Sequence, residues 1–231
     1  MTAPLSDAQL KALRGYDTCT VANVIDTMGV RLRNEGYTDS TIRCFTSMPS
    51  PMVGYAMTIR IRSSEPHAEG RAYVMRTDWW ESLLAIPAPR IMVIQDMDAH
   101  PGAGAFPGEV LANVWRALGC AGAITNGVVH DLPAIQKMDF QIFASGLSVS
   151  HAYAHIVEYG RPVEIGGLRV APGDLLHADT HGVLCVPADI GPKIPAVADT
   201  LLQRERRIIE QCRAEDVSLE KLRETLGAIG N

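Results

Sequence analysis

The 231 residues carry 47% hydrophobic and 20% charged side chains, ordinary globular composition, so disorder is excluded and one domain spanning 1–231 is expected. A net charge of −5 argues against a nucleic-acid backbone as partner, and the basic cluster Arg204, Arg206 and Arg207 around Glu205 reads as a solvated helix face. Five cysteines without CxxC spacing point to a reducing, cytoplasmic setting, and no apolar run suggests an export signal or a membrane span.

In chain order, Ser6 followed by Gln9 forms a capping-box pattern for a first helix containing Leu10 and Leu13. A second helix follows, with Thr18 as its expected cap, Val21, Val24, Ile25 and Met28 on one face, and Gly29 at its end. From Gly54 to Arg62 the alternation of Tyr55, Met57, Ile59 and Ile61 predicts a half-buried strand, and Ile91–Ile94 a fully buried one. Between them, Tyr73 to Ile86 has helical spacing, with Trp79 and Trp80 expected to pack in the core or an interface. A helix over Gly108–Leu118 leads into a strand over Ala121–Thr125, and another strand follows at Phe140–Ala144. After Gly160 short strands alternate with turn signals, Asp189 opens a long helix to about Arg213, and Ser218 starts a last one. This order predicts an α/β protein with a mixed sheet.

The stretch that carries chemistry is Gly108-Glu109-Val110-Leu111, with twenty residues between Glu109 and the following His130-Asp131 beyond a strand. A helix start exposes backbone N–H groups at the positive end of its dipole, which makes a small anion site, and a nearby carboxylate can hold a hard cation. Two plainer roles compete. Glu109 can simply oppose the helix dipole, and Asp131, preceding Leu132-Pro133, can simply cap the next turn.

The acid, the twenty-residue gap and the following basic residue and aspartate resemble the motif of the RraA-like superfamily. That superfamily includes 4-hydroxy-4-methyl-2-oxoglutarate (HMG) aldolases, 4-carboxy-4-hydroxy-2-oxoadipate aldolases and the ribonuclease E regulator RraA. The likeness extends to Thr18–Asn23, Gly54–Thr58, Gly119–Gly127 and the late segment from Val170 to Pro187. It implies an α-β-β-α sandwich of the swivelling-domain type, assembled as a homotrimer or homohexamer with sites at subunit boundaries. It also implies that Asp131 binds Mg²⁺ or Mn²⁺, that Glu109 contacts the ion's water, and that the amides around Gly108, Val110 and Leu111 bind a pyruvyl carboxylate. Glu205 matches an acid donated by a neighbouring subunit. Two positions depart from the aldolases: His130 stands where they carry arginine, and Ala134 where they carry Asp or Glu. Arginine offers a fork of donors for substrate and enolate, whereas histidine offers one hydrogen bond or a proton shuttle.

The function implied is a divalent-metal-dependent lyase of a small 2-oxo acid, acting by retro-aldol cleavage or oxaloacetate-type decarboxylation through a pyruvate enolate. In this reading His130, Glu109 and Asp131 are catalytic. The competing expectation is a non-catalytic regulator that binds a protein such as a ribonuclease. Three other patterns carry less weight. Asp96-x-Asp98-x-His100 and His177-x-Asp179-x-His181 alternate like strand-borne metal ligands, and His151 and His155 have the spacing of one helix face, where a surface or site-rim role is expected. No GxGxxG follows a strand and no GK[ST] occurs, so nucleotide binding is not expected.

Overall fold

A computed structural model describes residues 3–46, 49–67 and 77–229. Helices α1 (Asp7–Leu13) and α2 (Thr18–Met28) precede strands β1 (Arg43–Cys44) and β2 (Met52–Arg62). The middle of the chain runs through α3 (Trp80–Leu84), β3 (Arg90–Asp96), α4 (Glu109–Ala117), β4 (Cys120–Thr125), β5 (Val128–Val129), α5 (Leu132–Ile135), β6 (Gln141–Ala144) and β7 (Gly146–Leu147). It continues with β8 (His155–Tyr159), β9 (Val163–Ile165), β10 (Leu168–Val170), β11 (Leu175–Asp179) and β12 (Gly182–Val186). A 3-10 turn (Gly191–Lys193), α6 (Ile194–Arg213) and α7 (Leu219–Ile229) follow.

Among the described residues the main sheet runs β1-β6-β4-β3-β2-β11-β12, with β8 also paired to β2. Pairing is parallel between β2 and β3, β3 and β4, and β4 and β6, and antiparallel at β1, β8, β11 and β12, so the sheet is mixed. Strand alternation then sorts the apolar residues into layers. Met57, Ile59, Ile61, Met92 and Ile94 face out toward Leu111, Ala112 and Trp115 of α4. Ala56, Ile91, Val93, Ile124 and Phe143 face inward, against Leu176, Ala178, Val183 and the β9–β10 hairpin. Val53, Tyr55, Leu175, Leu184 and Val186 carry the remaining face, covered by Leu10, Leu13, Val21, Val24, Ile25, Ile194 and Ala198. Helices thus close both outer faces of two β layers, the α-β-β-α arrangement. Each fully buried Ile, Met or Phe contributes about 1.5–3 kcal/mol relative to exposure. No helix among the described residues is long and apolar enough to cross a membrane.

The capping box at Ser6 forms, its side chain accepting from Gln9 N–H while the Gln9 side chain accepts from Ser6 N–H. Several boundaries differ from expectation. Asp17, not Thr18, caps α2, because the extended residue is one position earlier and its Oδ1 accepts from Thr20 N–H at 2.6 Å. The helix expected from Asp189 begins only at Ile194, since Pro192 sits within a preceding 3-10 turn and cannot donate to a helical ladder. Of the helix expected from Tyr73, positions 73–76 lie outside the described residues. Trp80–Leu84 is helical, and Trp79 is in the core, 1% exposed. His151 and His155 share no helix: His155 opens β8 and pairs with Arg62, while His151 lies in the preceding loop.

His177 ties the layers together. Buried on β11, it donates from Nε2–H to the Leu13 carbonyl at 3.2 Å and accepts at Nδ1 from the Thr18 hydroxyl at 2.9 Å. Burial holds its pKa below the ordinary value of about 6.5, against the opposing pull of the Leu13 carbonyl and Asp179. The unfolded chain therefore takes up a proton near pH 6.5 that the folded chain refuses, and stability falls as pH drops below that value. Urea unfolding at about pH 7.5 and about pH 5.5 should show this loss in the wild type. His177→Gln should start less stable and lose less between the two, and equal losses in both proteins would assign the slope to other groups.

Candidate functional site

Three loops leave the carboxyl ends of adjacent parallel strands: 97–108 after β3, the segment after β4 that reaches Asp131, and the segment after β6 that reaches His151. This edge of an α/β sheet is where ligands bind, because the helices that follow point their N-termini toward it. The first loop is built by two carboxylates. Asp96, 2% exposed, accepts from Gly102 N–H at 2.9 Å, Ser63 Oγ–H at 3.1 Å and Asp98 N–H at 3.1 Å. Asp98 Oδ2 accepts from the N–H groups of Ser63 and Ser64 at 2.8 and 2.7 Å. Burial alone would raise the Asp98 pKa, and these bonds outweigh it and lower it. The D-x-D pair therefore shapes the loop, with His100 exposed beyond it.

The loop delivers Gly108 in extended backbone as the N-cap of α4. The first intrahelical bond is Ala112 N–H to the Gly108 carbonyl at 3.0 Å, so the N–H groups of Val110 and Leu111 have no intrahelical acceptor. Glu109 N–H is taken by Asp131 Oδ2 at 3.3 Å. Asp131 has a left-handed backbone, φ 56, and although it precedes α5 its side chain makes no capping bond there. Its carboxylate is turned back onto the opening of α4, where a negative charge is favoured by about 0.3–1 kcal/mol. A Cβ on Gly108 would lie 3.1 Å from Asp131 Oδ2, so a side chain there would press the carboxylate back by a few tenths of an ångström.

The structure thus brings Gly108, Glu109, His130 and Asp131 together. Glu109 and Val110 are exposed at the mouth, while the Leu111 side chain is buried beneath, leaving only its amide to serve the site. His130 donates from Nδ1–H to Asp131 Oδ1 at 2.6 Å, and its Nε2 lies 3.2 Å from the Val149 carbonyl. Glu205 is exposed on α6, which packs through Ile194 and Ala198 on the α1–α2 side, and no contact within the chain links it to Asp131 among the described residues.

His151, expected at the surface or a site rim on one helix face with His155, reaches this site from a turn instead. Its ring stacks on His130 with centroids 4.7 Å apart and planes at 28°. Its Nδ1–H donates to the Ala105 carbonyl at 2.6 Å, and Ala105 N–H donates to the Ser150 carbonyl at 2.9 Å. Ala152, next in sequence, has φ 43; with Asp131 it makes the two left-handed non-glycine residues among those described. Such backbone costs roughly 1–3 kcal/mol per residue and persists where surrounding contacts over-determine it. No helical or strand period encodes this turn, and only the glycines before Gly108 hint at it.

The second alternating set is structural too. His177 is the core residue described above, and Asp179 caps two backbones, accepting from Thr18 N–H at 2.8 Å and His181 N–H at 2.9 Å. Among the described residues no three His, Cys, Asp or Glu side chains form a ready cage for a metal ion. Two open clefts of about 590 and 570 Å³ share Arg14, Ser50, Pro51 and Gln141, away from Glu109, His130 and Asp131. Their walls contain none of the left-handed non-glycine backbone that marks the Asp131 loop, so the mouth of α4 is the better candidate.

A family model described as RraA-like, Aldolase/RraA, matches residues 21–185, and the chain belongs to that family. A Halalkalibacterium halodurans protein named as a candidate 4-hydroxy-4-methyl-2-oxoglutarate aldolase is 30% identical over 84 residues, 36% of this chain and 40% of that protein. Protein DlpA of Legionella pneumophila is 25% identical over 119 residues, 51% of this chain and 19% of its own. In both cases the match spans less than half of the relative's length. Among solved structures, an uncharacterized protein of Pseudomonas syringae pv. tomato superposes with TM-score 0.74 at 21% identity, covering 97% of each chain. A Streptomyces coelicolor protein described as an unusual member of the RNase ES inhibitor RraA family gives 0.68 at 20% identity, covering 93% of this chain and 100% of that one. At these identities the structures speak for the fold, and the family itself contains both aldolases and RraA regulators.

Gly104 allows the close approach of the loop to the histidine turn: a Cβ there would lie 2.2 Å from the His151 carbonyl oxygen. Gly104→Ala should therefore cost about 1–3 kcal/mol, the usual price of overpacking, in denaturant unfolding. A variant as stable as wild type would show that this approach is not held rigidly.

Proposed function

We propose that the chain is a single-domain, divalent-metal-dependent lyase acting on a small 2-oxo acid. The observation that carries this reading is Asp131: its left-handed backbone withholds the carboxylate from α5 and turns it to the amide end of α4. The residues fit a hard divalent ion. Mg²⁺ or Mn²⁺ keeps much of its water and takes one or two protein carboxylates, and Asp131 offers one, 38% exposed, beside a glycine whose Cβ would crowd it.

In this reading Asp131 holds the ion, with Glu109 beside it and Glu205 of the partner subunit completing the acidic set. Bound there, the ion supplies Lewis-acid polarisation of the 2-oxo group, which retro-aldol cleavage and oxaloacetate-type decarboxylation both require. The N–H groups of Val110 and Leu111, at the positive end of α4, receive the substrate carboxylate. Glu109, exposed at the first helical position, orients water for proton transfer. His130 braces Asp131 through Nδ1–H. Val110, 63% exposed, and Val149, 96% exposed, leave apolar surface at the site, which supports closure by a second copy in a trimer or a pair of trimers.

A second reading, a non-catalytic regulator that binds a protein such as a ribonuclease, is favoured by one feature: the chain has His130 and Ala134 where aldolases have arginine and an acid. Pyruvate release from oxaloacetate and from HMG, with and without Mg²⁺ or Mn²⁺, separates the two. Metal-dependent turnover is expected in the wild type, and Asp131→Asn, which keeps the shape but not the charge, should lower it roughly a hundredfold or more. No metal-dependent turnover across a panel of 2-oxo acids would overturn the lyase reading.

A further inference from the structure

We infer that His151 is a positioning residue of this site, acting through His130 on Asp131. The inference rests on the reading of Asp131 as the ion-holding carboxylate.

His130 is constrained on several sides. One edge of its ring meets Asp131 Oδ1 at 2.6 Å, the other meets the Val149 carbonyl at 3.2 Å, and one face is covered by His151 at 4.7 Å. Two of these three partners, Val149 and His151, come from the single turn that follows β7. With its Nδ1–H given to Asp131 and its Nε2 edge facing the Val149 carbonyl, His130 is placed to steady Asp131 rather than to reach for a substrate carboxylate.

The turn itself is held on purpose-built contacts. Ala105 accepts from His151 Nδ1–H and donates to the Ser150 carbonyl, so one residue of the β3 loop is bonded twice to the histidine turn. Gly104, directly before it, donates its N–H to Ser63 Oγ at 3.2 Å and leaves no room for a Cβ against the His151 carbonyl. Ala152 adopts left-handed backbone immediately after the histidine. The other end of the ring reaches the mouth of α4, where His151 Cε1 lies 3.5 Å from the position of a Cβ on Gly108. His151 is only half-buried, so packing alone gives little reason to retain a strained turn under it.

Two substitutions separate the ring from the hydrogen bond. His151→Phe keeps the stacked ring and loses the donor to Ala105; His151→Asn keeps a donor near Nδ1 and loses the ring. Three readouts are used on the full chain, after thermal unfolding has verified that each variant folds: the ¹⁵N shifts of the His130 ring nitrogens, which follow their hydrogen bonding and are little affected by a neighbouring ring current, Mn²⁺ affinity by water-proton relaxation, and kcat and KM for pyruvate release. His151→Phe, which keeps the ring and loses only its tether to Ala105, should move the His130 signals and weaken Mn²⁺ binding less than His151→Asn does. His151→Asn should move the His130 signals and weaken Mn²⁺ binding by up to about 10-fold, the low end of the 10–100-fold usual for a group bonded directly to a metal ligand, as His130 is. It should lower kcat more than it raises KM. In a His130→Ala background the Asn substitution should have little further effect, since the two residues act as one unit.

Equal behaviour of the Phe and Asn variants, or an Asn effect that persists without His130, overturns the inference. A wild type that binds no Mn²⁺ refutes the Asp131 reading instead. The NMR readout then decides the positioning alone, and unmoved His130 signals in His151→Asn would refute it.

Discussion

Parallel pairing of β3 with β4 and of β4 with β6 is the constraint on which the site depends. Parallel neighbours end at the same edge of the sheet, so three segments distant in sequence must emerge side by side. The first carries the opening of α4, the second Asp131 and the third His151. Because the strands are buried on both faces, their register is firmly specified, and a slip of one residue would turn Met92 and Ile94 away from α4. The loops inherit that precision through Ser63 and Asp96, which bind the β3 loop to the end of β2.

Stability and site geometry oppose one another locally. Asp131 and Ala152 occupy left-handed backbone that a plain turn would leave to glycine. The compensation comes from nearby bonds: Asp131 Oδ2 to the α4 amide, His130 N–H to the Pro107 carbonyl at 2.9 Å, and the paired bonds of Ala105. Aspartate tolerates this conformation better than most residues, whereas alanine has no side chain to offset it. The turn behind His151 is therefore the more demanding of the two.

Periodicity made the elements readable. Tyr55, Met57, Ile59 and Ile61 form a strand as their alternation predicts, but one buried on both faces rather than half-buried, because the small Ala56 and Thr58 between them are covered too; Ile91–Ile94 is buried, and Glu109 begins its helix where the glycine before it suggested. The proximity of Asp131 to α4 was legible only through the family motif, because spacing alone allowed it to cap α5. For His151 a place at the surface or the rim of a site was legible, but its contacts were not. A stacked imidazole pair, a left-handed alanine and a carbonyl against Gly104 are properties of a turn, and turns have no period. The acid and histidine set at 177–181, given little weight as a metal site, is structural, since alternation on a strand marks core-facing residues as readily as metal ligands.

Strand β2 is shared by both helical layers, and it has a consequence for how the chain is made. Its residues Met52 to Ile59 are all buried in the finished protein, yet Tyr55 pairs with Leu175, and Ile59 with Tyr159, far later in the chain. During synthesis this apolar run leaves the ribosome long before those neighbours exist, and only β3 arrives early enough to shield one edge. Contacts this distant in sequence slow folding and lengthen the interval in which a bare strand can adhere to another nascent chain. The same strand that unites the finished molecule is thus its most vulnerable segment at birth.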